Sequence, residues 1–534
     1  MATEITSSDE RTEDLPLGLI LLSGAIAAVI VFPLTRIVIR AIEVDPVRAS
    51  ELVFRPRTTE IVLNSLLLTV GVTAISIAIG VPLAVLTVRT DLPFRRFWTV
   101  VVSLPLAIPS YIGAFAFVSV FRPQGELQSI LAPFGIDELP SIFGLRGATL
   151  IIALYTYPYV YITTRAALKT FDKSLVAASL TLNRSRWETF RYVTLPQIRP
   201  AIAAGSLLTA LYAISDFGTP AFLRADVFTR QIFLSYQTFG GADYAAFLSL
   251  KLVAITVFIL AIESRIRGSE TLYTEGGEST SEHRIQLGWL KWPATAGCAL
   301  LAFVTLVLPI AIFFRWMLVS QGDVPPSFVF RWEFALNSVY VAGLAAIVAA
   351  ILALPIAYLS ARHDTRIGWV FERASYIGYA VPGIVVGLAL VFFGARYAGI
   401  FYQTIVILVF AYVVRFMPQS VGSTRTSLLQ VNPKLIEAGR TLGRSPLATF
   451  RSVTLPLVAP GIVAGAALVF LTTMKELPAT LLLKPPDFET LVTRIWAAES
   501  AGLYSQAAVP ALILVLVSAL SMVIILRQEN HDVN

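Results

Sequence analysis

The chain has 534 residues, of which 56% are hydrophobic and 14% are charged. Because soluble domains carry about 25% charged residues, this composition excludes an ordinary soluble protein, and apolar segments that recur from end to end predict a polytopic membrane protein. The net charge of +7 comes from short basic clusters between apolar runs, which argues against nucleic-acid binding. A single cysteine, Cys298, and three histidines in polar stretches argue against disulfide, redox or buried metal chemistry.

Twelve apolar segments reach the length of about 20 residues that a membrane span requires. The acidic residues 1–16 lack the cationic start of a signal peptide, so we expect an uncleaved cytoplasmic tail. The spans open near Leu17, Val62, Phe97, Leu150, Ala201 and Phe247 in the first half, and near Ala294, Ala335, Ala374, Phe401, Gly461 and Ala507 in the second. The sequence therefore predicts an all-α fold with about twelve transmembrane helices.

Basic residues are concentrated in alternate connections between these spans. Arg95, Arg184, Arg366 and Arg444 all lie on the side that also holds the two chain termini. Because lysine and arginine accumulate in cytoplasmic loops, the pattern predicts that both termini are cytoplasmic.

The two halves of the chain are an internal repeat. Three features of the first half recur 273 positions later: the sequence LNS at 63–65 returns at 336–338, Pro82 returns as Pro355, and Pro109 returns as Pro382. Beyond these positions the offset between the halves falls to 260. The difference fits an insertion in an outer loop of the first half, between residues 121 and 147. Six spans per half make this a parallel repeat. We expect cytoplasmic tails at 1–16 and 528–534, transmembrane domains at 17–263 and 294–527, and a cytoplasmic linker at 264–293.

The strongest internal match lies in the polar loop after the fourth span of each half. Residues 174–200 and 434–460 are identical at 14 of 27 positions. A short helix over 175–182 carries Leu175, Ala178 and Leu182 on one face. The helix is expected to end at Asn183, and at Gly443 in the second copy, since both residue types tolerate the left-handed backbone.

A second short helix is predicted directly after this bend. Ser185 with Glu188 forms a capping-box pattern in the first copy, and Ser445 is followed by Pro446 in the second. We expect this helix to end before Pro196 and Pro456, because proline disfavours a helical conformation in the residue before it. Each loop would then form two short cytoplasmic helices with a fixed bend.

These loops resemble the EAA motif of importer-type ATP-binding-cassette permeases, which have the MetI-like fold. The second copy matches at Glu437, Ala438, Gly439, Gly443, Leu455 and Pro456; the first has Ala177 and Asn183 in place of the acidic residue and the glycine, but keeps Ala178, Leu195 and Pro196. The resemblance implies that both loops contact an ATPase through Ala177, Ala178, Asn183, Arg184, Ser185, Glu437, Ala438, Gly439, Gly443, Arg444 and Ser445.

The chain itself contains no phosphate-binding G-x-x-x-x-G-K-[ST] loop and no Gly-Lys dipeptide. It is therefore not the ATPase, and we expect no enzymatic activity and no cofactor. The resemblance implies a separate ATPase homodimer on the cytoplasmic side, an extracytoplasmic substrate-binding protein, and a location in a prokaryotic cell membrane.

Two short stretches bear on the substrate. Residues 215–222 (SDFGTPAF) and 474–483 (MKELPATLLL) are similar to segments at the same place in iron(III) permeases. Fused two-copy permeases of this size resemble those for iron(III), so the resemblance implies that iron(III), delivered by the binding protein, is the substrate. Thiamine and aminophosphonate importers are near relatives, so these substrates are alternatives.

Asp216 and Glu476 align at the offset of 260, near the outer end of the fifth span of each half. Intramembrane acids are costly and are usually functional, and carboxylates suit a hard cation, so both are candidate pathway residues. The alternative is that they cap the end of the span, with Glu476 neutralised by Lys475 or Lys484.

Two other classes of protein are alternatives. An ion-coupled secondary transporter can also have two parallel six-span halves, but it needs ionisable groups deep in its spans, and outside Asp216, Lys251 and Glu476 the apolar runs are nearly free of charge. A membrane enzyme would need a nucleophile and base or a metal cluster, and the spans offer neither.

Overall fold

The computed structural model describes residues 17–122, 128, 132–135, 140–170, 173–268, 285–318, 325–363 and 365–531. The predicted tail at 1–16 and most of the predicted linker lie outside the described residues.

The described residues are mainly helical. In chain order the helices are α1 (Leu17–Ile42), α2 (Pro46–Phe54), α3 (Pro56–Arg89), α4 (Arg95–Val101), α5 (Ser110–Phe121), α6 (Leu145–Thr170), α7 (Lys173–Thr181), α8 (Arg186–Thr189), α9 (Leu195–Ser215), α10 (Gly218–Phe222), α11 (Phe228–Gln237), α12 (Ala242–Gly268), α13 (Lys291–Ala302), α14 (Leu308–Leu318), α15 (Trp332–Arg362), α16 (Arg366–Ala380), α17 (Gly383–Tyr397), α18 (Ile405–Gln430), α19 (Pro433–Thr441), α20 (Pro446–Thr449), α21 (Leu455–Thr473), α22 (Pro478–Leu483), α23 (Leu491–Ser500) and α24 (Ala508–His531). Short 3₁₀ segments lie at Leu104–Ala107, Ala132–Phe134, Gly288–Leu290, Pro326–Phe328 and Tyr504–Ala507.

Within the described ranges, eight helices are long and apolar enough to cross a membrane, and two bent helix pairs bring the number to as many as ten. The predicted count of twelve spans is therefore not confirmed. The predicted twelfth span lies in α24.

The predicted fourth span is the 26-residue helix α6, which contains polar side chains and is largely buried in the protein. Tyr155 and Tyr157 donate hydrogen bonds to the carbonyl oxygens of Thr305 and Val102, at 3.1 and 2.7 Å. These phenols are satisfied by protein groups, so α6 tolerates polar side chains that a lipid-facing helix would not.

The third and ninth predicted spans are each broken near the middle. The pair Arg95–Ala107 and Ser110–Phe121 meets at 88°, and the pair Arg366–Ala380 and Gly383–Tyr397 meets at 102°. The breaks fall at the repeated prolines, Pro109 and Pro382, whose ψ values of 131° and 141° are extended. Proline also drives the residue before it out of the helical region, and Ile108 has a ψ of 127°.

The chain divides into two compact units that do not follow the sequence repeat. Of the described residues, the first unit comprises those within 17–33, 343–379 and 412–470, and the second comprises those within 34–342, 380–411 and 471–531. In the second unit, α3, α6 and α9 pack against one another. The domain boundaries expected from the repeat stay a prediction.

Candidate coupling loops and translocation site

The two EAA-like loops have the same backbone geometry. Asn183 and Gly443 have positive φ values of 60° and 80°. The N–H of the following arginine reaches back to the carbonyl oxygen five residues earlier, from Arg184 to Ser179 at 3.4 Å and from Arg444 to Gly439 at 3.3 Å. This bond is the signature of a Schellman-type helix end, so both first helices, α7 and α19, end in the predicted way.

Both second helices begin at the predicted serine. Ser185 Oγ accepts from the N–H of Glu188 at 3.2 Å, and the Glu188 carboxylate accepts from the N–H of Ser185 at 2.8 Å. Ser445 Oγ accepts from the N–H of Ala448 at 3.3 Å, with Pro446 at the first helical position. The predicted capping box is therefore present in the first copy, and the predicted proline start in the second.

The prediction that these second helices end before Pro196 and Pro456 is wrong. Each continues into the next span, so that Arg186–Ser215 and Pro446–Thr473 are continuous helices of 30 and 28 residues. The π-helical turns Phe190–Thr194 and Phe450–Thr454 precede the prolines. A π turn shifts the hydrogen-bond register and accommodates a residue that an α-helix would exclude at this point.

In each loop, the first short helix contacts the second near the bend. In the first loop, the Ser179 and Thr189 hydroxyls share a hydrogen bond of 3.0 Å. In the second loop, Gly439 takes the place of Ser179, and a Cβ added there would lie 2.9 Å from the Thr449 methyl carbon. The glycine therefore permits the close approach that the serine secures by a hydrogen bond.

The outer faces of these helices are exposed and partly apolar. The side chains of Leu182 and Leu442, at equivalent positions, are 76% and 82% exposed. Trp187 and Leu447 form a second exposed apolar pair, and Ala177, Ala178, Glu437 and Ala438 are exposed as well. These exposed groups occur at equivalent positions in both loops.

The two arginines that follow the bends contact residues at equivalent positions. The Arg184 guanidinium lies 6.0 Å from the centre of the Tyr192 ring, and Arg444 donates a hydrogen bond to Ser452 Oγ. Tyr192 and Ser452 are equivalent at the offset of 260.

Asp216 lies where α9 ends and the short helix α10 begins. Its carboxylate accepts a hydrogen bond of 2.9 Å from Ser110 Oγ, and the same Oγ lies 3.0 Å from the Tyr212 hydroxyl. The carboxylate also faces the backbone N–H groups of Gly218 and Thr219.

Glu476 has the corresponding position in the second half and is 6% exposed. Its Oε1 accepts from the N–H of Ala479 at 3.2 Å, and its carbonyl oxygen accepts from Thr480. Each acid therefore lies at the start of a short helix that follows its span. This arrangement is compatible with both the capping and the pathway interpretations.

The break in the third span brings charged groups to both of its helix ends. The Lys475 ammonium donates to the carbonyl oxygen of Ala107 at 3.0 Å, at the C-terminal end of the first piece. Asp216 lies beside Ser110, at the N-terminal end of α5. A cation at a helix C-terminus and an anion at an N-terminus both match the helix dipole. Lys484, the other proposed partner of Glu476, pairs with Glu489 at 2.8 Å.

The repeated Asn-Ser pair, for which the sequence predicts no role, makes the same contacts in both halves. Asn64 and Asn337 donate to the carbonyl oxygens of Asp226 and Glu489, at 3.1 and 3.0 Å. The serines that follow them, Ser65 and Ser338, accept from the N–H groups of Phe228 and Leu491, at 3.0 and 2.8 Å. Each pair, here called an Asn-Ser clasp, holds the segment after the acid-bearing short helix against the second span of its own half.

Residues 76–268 and 351–530 match the family model described as "Binding-protein-dependent transport system inner membrane component". The chain is 34% identical over 512 residues, 95% of its length and 97% of the relative, to the "Fe(3+)-transport system permease protein FbpB 2" of Haemophilus influenzae.

Two other relatives are more distant. The "Ferric transport system permease protein FbpB" of Actinobacillus pleuropneumoniae is 25% identical over 86% of this chain and 69% of its own length. The "Inner membrane ABC transporter permease protein YdcU" of Escherichia coli is 27% identical over 41% of this chain and 75% of its own length.

Proposed function

The chain belongs to the family of inner membrane components of binding-protein-dependent transport systems, and on this premise we propose that it forms the membrane pathway for Fe(3+) import. It is a multi-pass permease subunit of an ATP-binding-cassette importer and not an enzyme, because ATP hydrolysis belongs to a separate subunit. Its partners are an ATPase and an extracytoplasmic binding protein.

The continuous helix from each EAA-like loop to each acid carries the mechanism. At 1.5 Å per residue, the helices Arg186–Ser215 and Pro446–Thr473 are about 45 and 42 Å long. Each begins next to the bend in its loop and ends beside Asp216 or Glu476. A movement of the loop would therefore be transmitted to the acid along one continuous helix, with no intervening loop segment.

The two loops would each bind one subunit of an ATPase homodimer. The exposed apolar pairs Leu182 and Leu442, and Trp187 and Leu447, provide surface for that contact. Closure of the ATPase on ATP would move both loops and switch the permease between inward-open and outward-open states. The same side of the membrane would hold both chain termini.

Fe(3+) is the proposed substrate because two relatives are named for its transport and because Asp216 and Glu476 supply hard oxygen ligands. Carboxylates would also suit the thiamine cation or the ammonium group of an aminophosphonate, so the names of the relatives carry the choice of Fe(3+).

Reconstitution tests the proposal directly. Proteoliposomes would contain this chain with its ATPase, and would receive binding protein loaded with radioactive Fe(3+). We expect uptake that requires both ATP and the binding protein. Uptake that follows a proton or sodium gradient without ATP would support a secondary transporter instead, and ATP-dependent uptake of thiamine but not iron would overturn the substrate.

A further inference from the structure

One lysine of the second half holds the break in the third span at two points. Lys475 Nζ donates to the carbonyl oxygen of Ala107 at 3.0 Å, on one side of Pro109. The backbone carbonyl oxygen of the same lysine accepts from the Tyr111 hydroxyl at 3.2 Å, on the other side of Pro109. The 88° bend of the span is therefore bracketed by two hydrogen bonds to a single residue.

The surroundings favour both hydrogen bonds. Ala107 is the last residue of the 3₁₀ segment Leu104–Ala107, so the ammonium faces the negative end of a helix dipole. A hydrogen bond from a charged donor is also stronger than one between neutral groups. Tyr111 is 5% exposed, so water does not compete for its hydroxyl. These contacts are suited to transmit a movement of Lys475 to the span.

Lys475 is joined to the helix that starts in the second EAA-like loop. Its backbone N–H donates to the carbonyl oxygen of Thr472 at 3.2 Å, in the last turn of this helix. The helix is continuous over Pro446–Thr473 and begins beside the bend at Gly443. A movement of the second loop would therefore be transmitted to the two hydrogen bonds with the third span of the first half.

The repeat does not provide the reciprocal contact. By its offsets, Ser215 takes the place of Lys475, and Ala380 and Ile384 take the places of Ala107 and Tyr111. A serine side chain is much shorter than that of lysine, and the side chain of isoleucine has no donor. In the part of the chain that the structure describes, no hydrogen bond joins Ser215 to Ala380 or Ile384. The break in the ninth span therefore lacks this connection to the other half.

We propose that Lys475 is a positioning residue that couples the second EAA-like loop to the broken third span of the first half, which makes the coupling between the halves asymmetric. This inference rests on the proposed function, because it takes ATPase binding at the loops as the source of the movement. It goes beyond that function by assigning the route to one residue and by giving it a direction, from the second half to the first.

The route ends beside the acid of the first half. Ser110, the residue after Pro109, donates to the Asp216 carboxylate at 2.9 Å. Because Lys475 bonds to residues on both sides of Pro109, its displacement would change the position of Ser110 relative to Asp216. The broken span is then an element with two arrangements that a distant site biases, which is the physical requirement for coupling between sites.

Alkylation of buried cysteines tests the link in the complex of this chain with its ATPase, reconstituted in lipid nanodiscs. Ile108→Cys and Val381→Cys, each in a Cys298→Ala background, place equivalent thiols at the two breaks. Both positions are buried, so a small thiol reagent reacts quickly only when the break opens. In the complex with native Lys475, we expect the two rates to differ between the nucleotide-free and vanadate-trapped states by at least about 5-fold, the lower end of typical coupling between sites.

Substitution of Lys475 should affect one break and not the other. Methionine keeps the apolar part of the lysine side chain but donates no hydrogen bond. Lys475→Met should therefore remove the nucleotide-dependent difference at position 108 and keep it at position 381, whereas Lys475→Arg should keep both. Iron uptake per ATP hydrolysed should fall by about 5-fold or more in Lys475→Met.

Lys484→Met is the matched control. It is the same substitution in the same half of the chain, at a lysine whose partner is the nearby Glu489. This variant should keep the difference in alkylation rate at both breaks, and its iron uptake per ATP hydrolysed should be unchanged.

The outcomes separate this link from the proposed function. An unchanged difference at position 108 in Lys475→Met, or loss of the difference at both positions, would overturn the link and leave the function standing. A complex that shows the expected differences but imports no Fe(3+) would overturn the proposed substrate and leave the link. If Lys475→Met is poorly inserted, Tyr111→Phe decides instead: it removes the second hydrogen bond and should reduce the difference at position 108, and an unchanged difference would overturn the link.

Discussion

Asn183 and Gly443, 260 positions apart in the chain, hold the same left-handed backbone conformation, with φ values of 60° and 80°. Each ends the first helix of its loop and sets the direction of the second. A Cβ added at Gly443 would meet no atom within 4 Å. The cost of a substitution there therefore comes from the backbone conformation and not from crowding.

Gly443→Val tests the role of this bend. A β-branched residue with positive φ costs about 1–3 kcal/mol, so the second loop should lose its bend while the spans stay inserted. We expect lower iron uptake and lower transport-stimulated ATP hydrolysis, with normal amounts of protein in the membrane. Gly443→Asn is the matched control, because asparagine already occupies the equivalent position 183. Uptake as low in Gly443→Asn as in Gly443→Val would contradict the role of φ.

Asn183→Val should lower uptake less than Gly443→Val if the first loop binds its ATPase less tightly than the second.

The orientation of the loops can be tested by labelling. We expect both EAA-like loops on the cytoplasmic side, so Arg184→Cys and Arg444→Cys should resist a membrane-impermeant thiol reagent added to intact cells. The native Cys298 is buried and gives little background. Arg146→Cys, at an exposed position on the predicted outer side, should react. Labelling at 184 or 444 from outside would rule out the proposed topology.

The two acids can be tested by removing charge while keeping shape. Asp216→Asn combined with Glu476→Gln retains side-chain acceptors that can cap a helix but removes both negative charges. If the acids bind the cargo, iron uptake should be lost while the basal ATPase rate of the assembled complex is kept. Glu60→Gln, at an exposed carboxylate paired with Arg57, should leave uptake unchanged. Near-normal uptake in the double variant would contradict cargo binding and support the interpretation that the acids only cap helices.

Removal of a clasp serine should destabilise the protein more than removal of a buried serine that bonds only within its own helix. Ser338→Ala would leave the buried N–H of Leu491 without its acceptor, at a cost of about 1–3 kcal/mol, and Ser65→Ala would do the same for Phe228. Thermal unfolding of the detergent-purified protein should therefore shift to lower temperature. Ser249→Ala is the control, because this buried serine donates only to the carbonyl of Ala245 in its own helix. Equal shifts in all three variants would mean that the clasps add nothing.

The sequence determined those features that depend on residues close together in the chain. The helix ends at Asn183 and Gly443 and the caps at Ser185 and Ser445 follow from hydrogen bonds over three to five positions. Apolar runs likewise located helices at the predicted spans, because length and hydropathy are properties of a single segment. The repeat predicted equivalent positions, although not what those positions contact.

Tertiary structure decided the features that join distant segments. Ser110 meets Asp216 across 106 positions, and Lys475 reaches Ala107 across 368. The repeated prolines marked the third span in both halves, but their effect, a break with polar groups at both helix ends, requires partners that arrive from other spans. Such contacts are set by how helices pack around one another, and hydropathy and local propensity carry no information about that packing. For this reason the two acids were visible in the sequence, whereas Ser110 and Tyr212 beside Asp216 became visible only in the fold.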